Sequence, residues 1–118
     1  MVFTNDGLNA VKDWLIGSDP EYPKAIAVGT TNTTPSVNDT ALIAEVFRKS
    51  STNSGAPFLG KFEMNILTTE ATGNTINECG LFNDTSSTSG TLFVRNIFAS
   101  ISKTSSIEVQ IEQRVEIQ

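Results

Sequence analysis

Histidine is absent from this 118-residue chain, and cysteine, tryptophan and tyrosine occur once each. Without imidazole there is no Ser-His-Asp or Cys-His nucleophile, no imidazole metal ligand and no use of the commonest general base. The single Cys79 forms no internal disulfide, and one cysteine without histidine makes no zinc site. Free cysteine usually packs as a small hydrophobe, and Cys79 is read that way. Charge is scarce as well: 18% of residues are charged, the net charge is −5, and the basic residues form no run longer than Arg48-Lys49. That balance argues against a surface that neutralises nucleic-acid phosphates. No stretch is long and apolar enough to span a bilayer, and no charged segment followed by an apolar one marks the N-terminus. The expectation is a chain made in the cytoplasm without a signal peptide, and not inserted in a membrane.

The glycines are scattered among turns and form neither G-x-G-x-x-G nor a phosphate-binding loop. Asp19, Glu21, Asp39, Glu70 and Asp84 fall near loops without the D-x-D-x-D-G spacing of a calcium loop. Spacing alone identifies no carboxylate pair for glycoside hydrolysis. Three sequons, at Asn32, Asn38 and Asn83, are read as turn-forming loop residues rather than glycosylation sites. No catalytic, cofactor-binding, metal-binding or other ligand-binding residue is assigned, no cofactor is expected, and the chain is read as not an enzyme.

What the sequence does contain is an excess of serine, threonine and asparagine, which suits β-surfaces and turns. The spacing predicts one helix over about 5–16, with Thr4, Asn5 or Asp6 as N-cap and Leu8, Val11, Trp14 and Leu15 on one face. Gly17 offers a C-cap, and Pro20 and Pro23 stop continuation. Trp14 is expected to anchor the helix to a sheet. Residues 24–29 read as a strand, Thr30 to Asn38 as a polar loop, Thr40 to Lys49 as a helical turn leading into a strand, and Ser50 to Pro57 as a flexible loop. Glu45 and Arg48, three apart, are read as a local or loop-clasping salt bridge.

From residue 58 the period becomes two. Phe58, Gly60, Phe62, Met64 and Ile66 are expected on one face of a strand. Residues 68–74 make a turn helped by Gly73, and 75–82 and 91–101 make two further strands around a loop at 83–90. In the last segment Ile107, Val109, Ile111, Val115 and Ile117 alternate with Glu108, Gln110, Glu112, Arg114, Glu116 and Gln118. Gln113 breaks the apolar face, and is expected either to find a hydrogen-bond partner there or to be rotated away by a bulge. This segment is expected to lie inside a sheet or to pair with a neighbouring subunit, having no device that blocks its edge. One domain over 1–118 follows: mainly β, an antiparallel β-sandwich with one N-terminal α-helix.

The order of short motifs resembles that of small virion structural proteins of tailed bacteriophages and related tailed viruses, which are tail-, baseplate- or fibre-associated. The motifs are Thr4-Asn5-Asp6-Gly7-Leu8, Gly29-Thr30, Pro35-Ser36 with Asp39-Thr40 through Glu45 to Arg48, Ile76-Asn77-Glu78-Cys79-Gly80-Leu81-Phe82, and Gly90-Thr91-Leu92-Phe93-Val94-Arg95. The resemblance spans most of the chain and implies a sandwich that oligomerises or docks on other virion proteins, with no catalytic residue carried over. Within it, Gly80 suits a bend or close backbone approach, and Glu78 suits accepting hydrogen bonds from the loop behind it. The expected partners are further copies of the chain and other virion proteins, with a host-surface receptor as an additional candidate. A capsid-surface decoration protein and a carbohydrate- or host-surface-binding module are the alternatives. The Thr30 to Asn38 and Ser50 to Pro57 loops are the expected contacts with partner proteins.

Overall fold

A computed structural model describes residues 2–18 and 21–117. The first helix starts where an exposed amide finds an oxygen. Thr4 is extended, its Oγ1 accepts from the Gly7 amide at 3.0 Å and its hydroxyl donates to the Leu92 carbonyl, which caps α1 (Asn5–Leu15) and ties it to the sheet beneath. The helix ends at Ile16, followed by Gly17 in the left-handed conformation at φ +85°, with its amide on the Trp14 carbonyl. Pro20 and Asp19 lie outside the described residues.

The buried face of α1 differs from the expected one. Leu8 and Leu15 point to solvent, and the helix packs through Gly7, Ala10, Val11 and Trp14. A Cβ on Gly7 would stand 2.7 Å from the Phe93 carbonyl oxygen. Close approach of backbones therefore chose the small-residue stripe over the leucines. Trp14 stacks on Phe93 with ring centroids 5.7 Å apart, the expected helix-to-sheet anchor.

The strands form two antiparallel sheets. The larger contains β1 (Val2–Phe3), β2 (Ala25–Gly29), β3 (Glu45–Ser50), β6 (Thr75–Phe82) and β7 (Leu92–Ser102), ordered β1-β7-β6-β2-β3. The smaller contains β4 (Thr52–Ala56), β5 (Leu59–Ile66) and β8 (Val109–Glu116), ordered β4-β5-β8. Ile26, Val28, Cys79, Leu81 and Val94 from the larger sheet and Met64, Ile66, Val109 and Ile111 from the smaller share one core. The fold is the expected mainly-β sandwich with an N-terminal helix. The opposite face of the larger sheet is also covered: Ala27, Phe82 and Leu92 meet Leu42 from the β2–β3 connection. This explains why all five residues of β2 are buried and why Ala25-Ile26-Ala27-Val28 runs apolar without alternation.

Three expectations are corrected. Residues 52–56, read as flexible loop, form β4, whose ladder to β5 supplies order that Thr52, Asn53, Ser54 and Gly55 do not advertise. The stretch before β3 forms bends rather than a helical turn, because the Ile43 and Ala44 amides are taken by the Glu78 carboxylate. Phe58, expected on a buried face, sits in the β4–β5 turn and is 75% exposed.

The terminal strand β8 starts at Val109, two residues later than its alternation begins, and occupies an edge of the smaller sheet. Its register with β5 is unbroken from Leu59↔Glu116 to Ile66↔Val109, so no bulge removes Gln113 from the core face. Gln113 stays buried, its Nε2 donating to the Arg114 carbonyl and its Oε1 facing the Cys79 thiol.

Candidate functional site

Five charged residues of the motifs, Asp39, Glu45, Arg48, Glu78 and Arg95, build two clasps on the larger sheet. Glu78 and Arg95 are both fully buried there. The Arg95 guanidinium donates through Nε to Glu78 Oε1 at 3.0 Å, through Nη1 to Asp39 Oδ2 at 3.1 Å and through Nη2 to the Thr33 carbonyl at 2.9 Å. Glu78 also accepts from the amides of Ile43 and Ala44 at 3.2 and 3.0 Å, the expected clasp on the loop behind it. Asp39 closes the loop on itself by accepting from the Ser36 amide at 2.8 Å. Two buried side chains thus pin both ends of the long 30–44 connection.

A second clasp is built one strand away. In β3 the register places Val28 opposite Phe47 and Gly29 opposite Glu45, so Val46 is an extra residue, a bulge. That extra residue brings Glu45 and Arg48 to one side of the strand although they are three apart, where regular alternation would separate them. Arg48 forks onto Glu45 at 3.0 and 2.7 Å, and its Nη1 donates to the carbonyls of Asp84 and Ser89 at 2.9 and 2.6 Å. The guanidinium carbon lies 3.7 Å from the centre of the Phe82 ring. The loop-clasping salt bridge expected for this pair is therefore present, on a bulged strand rather than a helix, and its load is the 83–90 loop.

Two glycines make room for these clasps. A Cβ on Gly29 would stand 2.6 Å from the Ala44 carbonyl oxygen and crowd the Glu78 carboxylate. One on Gly80 would meet Leu42 and Leu92 methyls at 2.8 Å, the close approach expected there. Among the described residues no buried side-chain nitrogen or oxygen lacks a hydrogen-bond partner. Cys79, itself buried, has its thiol pushed up to about 11, first by burial and then by the neighbouring Glu78 carboxylate.

The remaining acidic candidates are likewise committed. Glu21 pairs with Lys24, Glu70 with Lys49 and the Leu67 amide, and Asp84 caps the Ser86 amide. No group of three potential metal ligands forms among the described residues. Of the sequon asparagines, Asn38 accepts from Asn5 and Asn83 accepts from the Thr91 amide at 2.8 Å, both acting as loop-fixing residues. Lys103, read only as part of a turn, is buried and donates to the carbonyls of Thr68 and Thr104. Its apolar stem suits burial, but nothing in the local pattern distinguishes it from a solvated lysine.

The surface offers a different kind of site. Leu15, Ile16, Phe58 and Ile117 are each at least two-thirds exposed. Ile117 also lines a cavity of about 220 Å³ between α1 and the smaller sheet, together with Phe3, Val11, Trp14, Pro23, Gly60, Phe62, Leu81, Phe93 and Val115. β4 is exposed along its whole length, and β8 has a neighbour on one side only. Open strand edges carry unpaired backbone donors and acceptors. No family model matches the chain, and no curated protein or solved structure matches it either.

Proposed function

We propose that the chain is a non-enzymatic structural protein of a tailed-virus particle, associated with the tail, baseplate or fibre, that acts by assembling with further copies and docking on other virion proteins. The observation that carries this reading is the division of labour between motif residues and surface. Asp39, Glu45, Arg48, Glu78 and Arg95, five of the charged residues in the motif order, serve to hold loops rigid against the sheet. The exposed apolar residues and the open edges of β4 and β8 are left for contact. Pinned loops suit docking because little entropy remains to be lost when a partner binds.

Mass spectrometry of purified virus particles tests the proposal. The expected result is the chain present in many copies, with cross-links from the 30–38 segment or from β4 to neighbouring virion proteins. Particles complete in their other proteins but lacking this chain would overturn it. The alternative of a carbohydrate-binding module has one observation in its favour, the ring of Tyr22, which is 64% exposed beside Lys24. Sugars stack on such rings, and binding on a glycan array that is lost in Tyr22→Ala would transfer the assignment to that reading.

A further inference from the structure

The β4–β5 turn holds an anomaly. Ala56 pairs with Leu59, leaving Pro57 and Phe58 as a two-residue loop, and Phe58 has φ +65°. Proline followed by a left-handed residue is the pattern of a type II turn, whose second central position takes glycine or asparagine. A phenylalanine here meets backbone strain and is 75% exposed to solvent.

An apolar cavity opens between α1 and the smaller sheet. Its walls are wholly apolar, with Trp14 on the helix side and Phe62 and Val115 on the sheet side. Its volume, about 220 Å³, exceeds the roughly 150 Å³ of an apolar protein cavity that admits benzene. Knob and hole lie on the same part of the surface: Ile117 lines the cavity, and its amide donates to the Phe58 carbonyl at 2.7 Å. A patch carrying both halves of a contact is what a two-fold exchange requires, each copy giving what it receives. Leu15 and Ile16, which follow Trp14 in sequence, are 83% and 69% exposed.

We infer that the partner of this surface is a second copy of the chain, and that the two copies exchange Phe58 rings, each entering the other's cavity. The inference rests on the assembly reading above and names the occupant of one of its surfaces.

Sedimentation equilibrium of the purified full chain tests it, using wild type, Phe58→Asn, Val115→Phe and an equimolar mixture of the two variants. Asparagine tolerates the left-handed turn and removes the knob, whereas Val115→Phe fills the hole. The wild type is expected to shift from 12.7 kDa toward twice that mass as concentration rises. Each variant alone should dimerise at least about tenfold more weakly. The mixture should regain association, since it contains one intact knob and one intact hole. If Val115→Phe fails to fold by circular dichroism, Phe58→Asn carries the test alone. A wild type that remains monomeric, or a dimer that Phe58→Asn leaves untouched, overturns the exchange. A monomeric chain still recovered in particles overturns the exchange and leaves the assembly reading standing. A Phe58-dependent dimer absent from particles does the reverse.

Discussion

Glu78 Oε1 and Arg95 Nε meet at 3.0 Å across the neighbouring strands β6 and β7, both side chains entirely removed from solvent. Removing two charges from water is costly, and the pair is sustained by the bonds it makes to the loop. Those are the Ile43 and Ala44 amides on one side, and Asp39 and the Thr33 carbonyl on the other. Glu78→Gln keeps the shape but leaves the buried guanidinium with Asp39 as its remaining carboxylate partner, and should cost about 2 kcal/mol in urea unfolding. Hydrogen exchange gives the local signature: the Ile43 and Ala44 amides should lose protection more than those in β5. Unchanged exchange at both amides would show that Glu78 is not what holds the 30–44 connection.

Arg48→Lys should be far from conservative. Lysine offers one point of charge where arginine forks onto Glu45, reaches two carbonyls of the 83–90 loop and sits over the Phe82 ring. The expected loss is about 2 kcal/mol, together with faster proteolysis within the 83–90 loop than at the β4–β5 turn. Equal cleavage rates in variant and wild type at that loop would contradict the clasp.

Cys79 should be silent toward thiol reagents in the native protein at pH 8. Its thiol is pushed up to about 11, and only the thiolate reacts. Labelling should therefore track global unfolding, rising in urea along the same transition as tryptophan fluorescence. Fast labelling under native conditions would mean that the core opens locally around β6.

Glu70 should contribute to acid sensitivity. Its carboxyl is held below the usual 4.5, first by the Leu67 amide and then by Lys49. Unfolded chains take up this proton near 4.5 while folded ones resist it. The stabilisation is thus complete above about that pH and fades as pH falls through the lower folded value. Thermal melts from pH 6 down to 3 should show a shallower decline in Glu70→Gln than in wild type. Parallel curves would assign the decline to other carboxylates.

The periodicity-of-two segments became strands because alternation demands one buried face whatever lies opposite. That much, with the Thr4 cap and the Gly17 stop, was written locally in the chain: β5, β6, β7 and β8 fall within a few residues of where their patterns place them. The clasp of Glu78 on the loop and the pairing of Glu45 with Arg48 were also readable as pairs of residue types. Their burial was not, since a charged residue in a short motif looks the same whether it meets water or a folded-back loop.

What only the tertiary structure decided were the contacts that depend on distance between elements. Gly7 lies 2.7 Å, counted from a hypothetical Cβ, from the Phe93 carbonyl oxygen, and this turned the helix so that Leu8 and Leu15 face outward. The ladder to β5 made β4 from a stretch in which only Thr52 favours a strand, and Phe58 in the turn between them is exposed to solvent. Composition alone determined a histidine-free, weakly charged β-chain, because side-chain chemistry and alternation act within a few residues. The choice of which apolar groups stay uncovered belongs to packing, because burial is settled between segments far apart in the sequence.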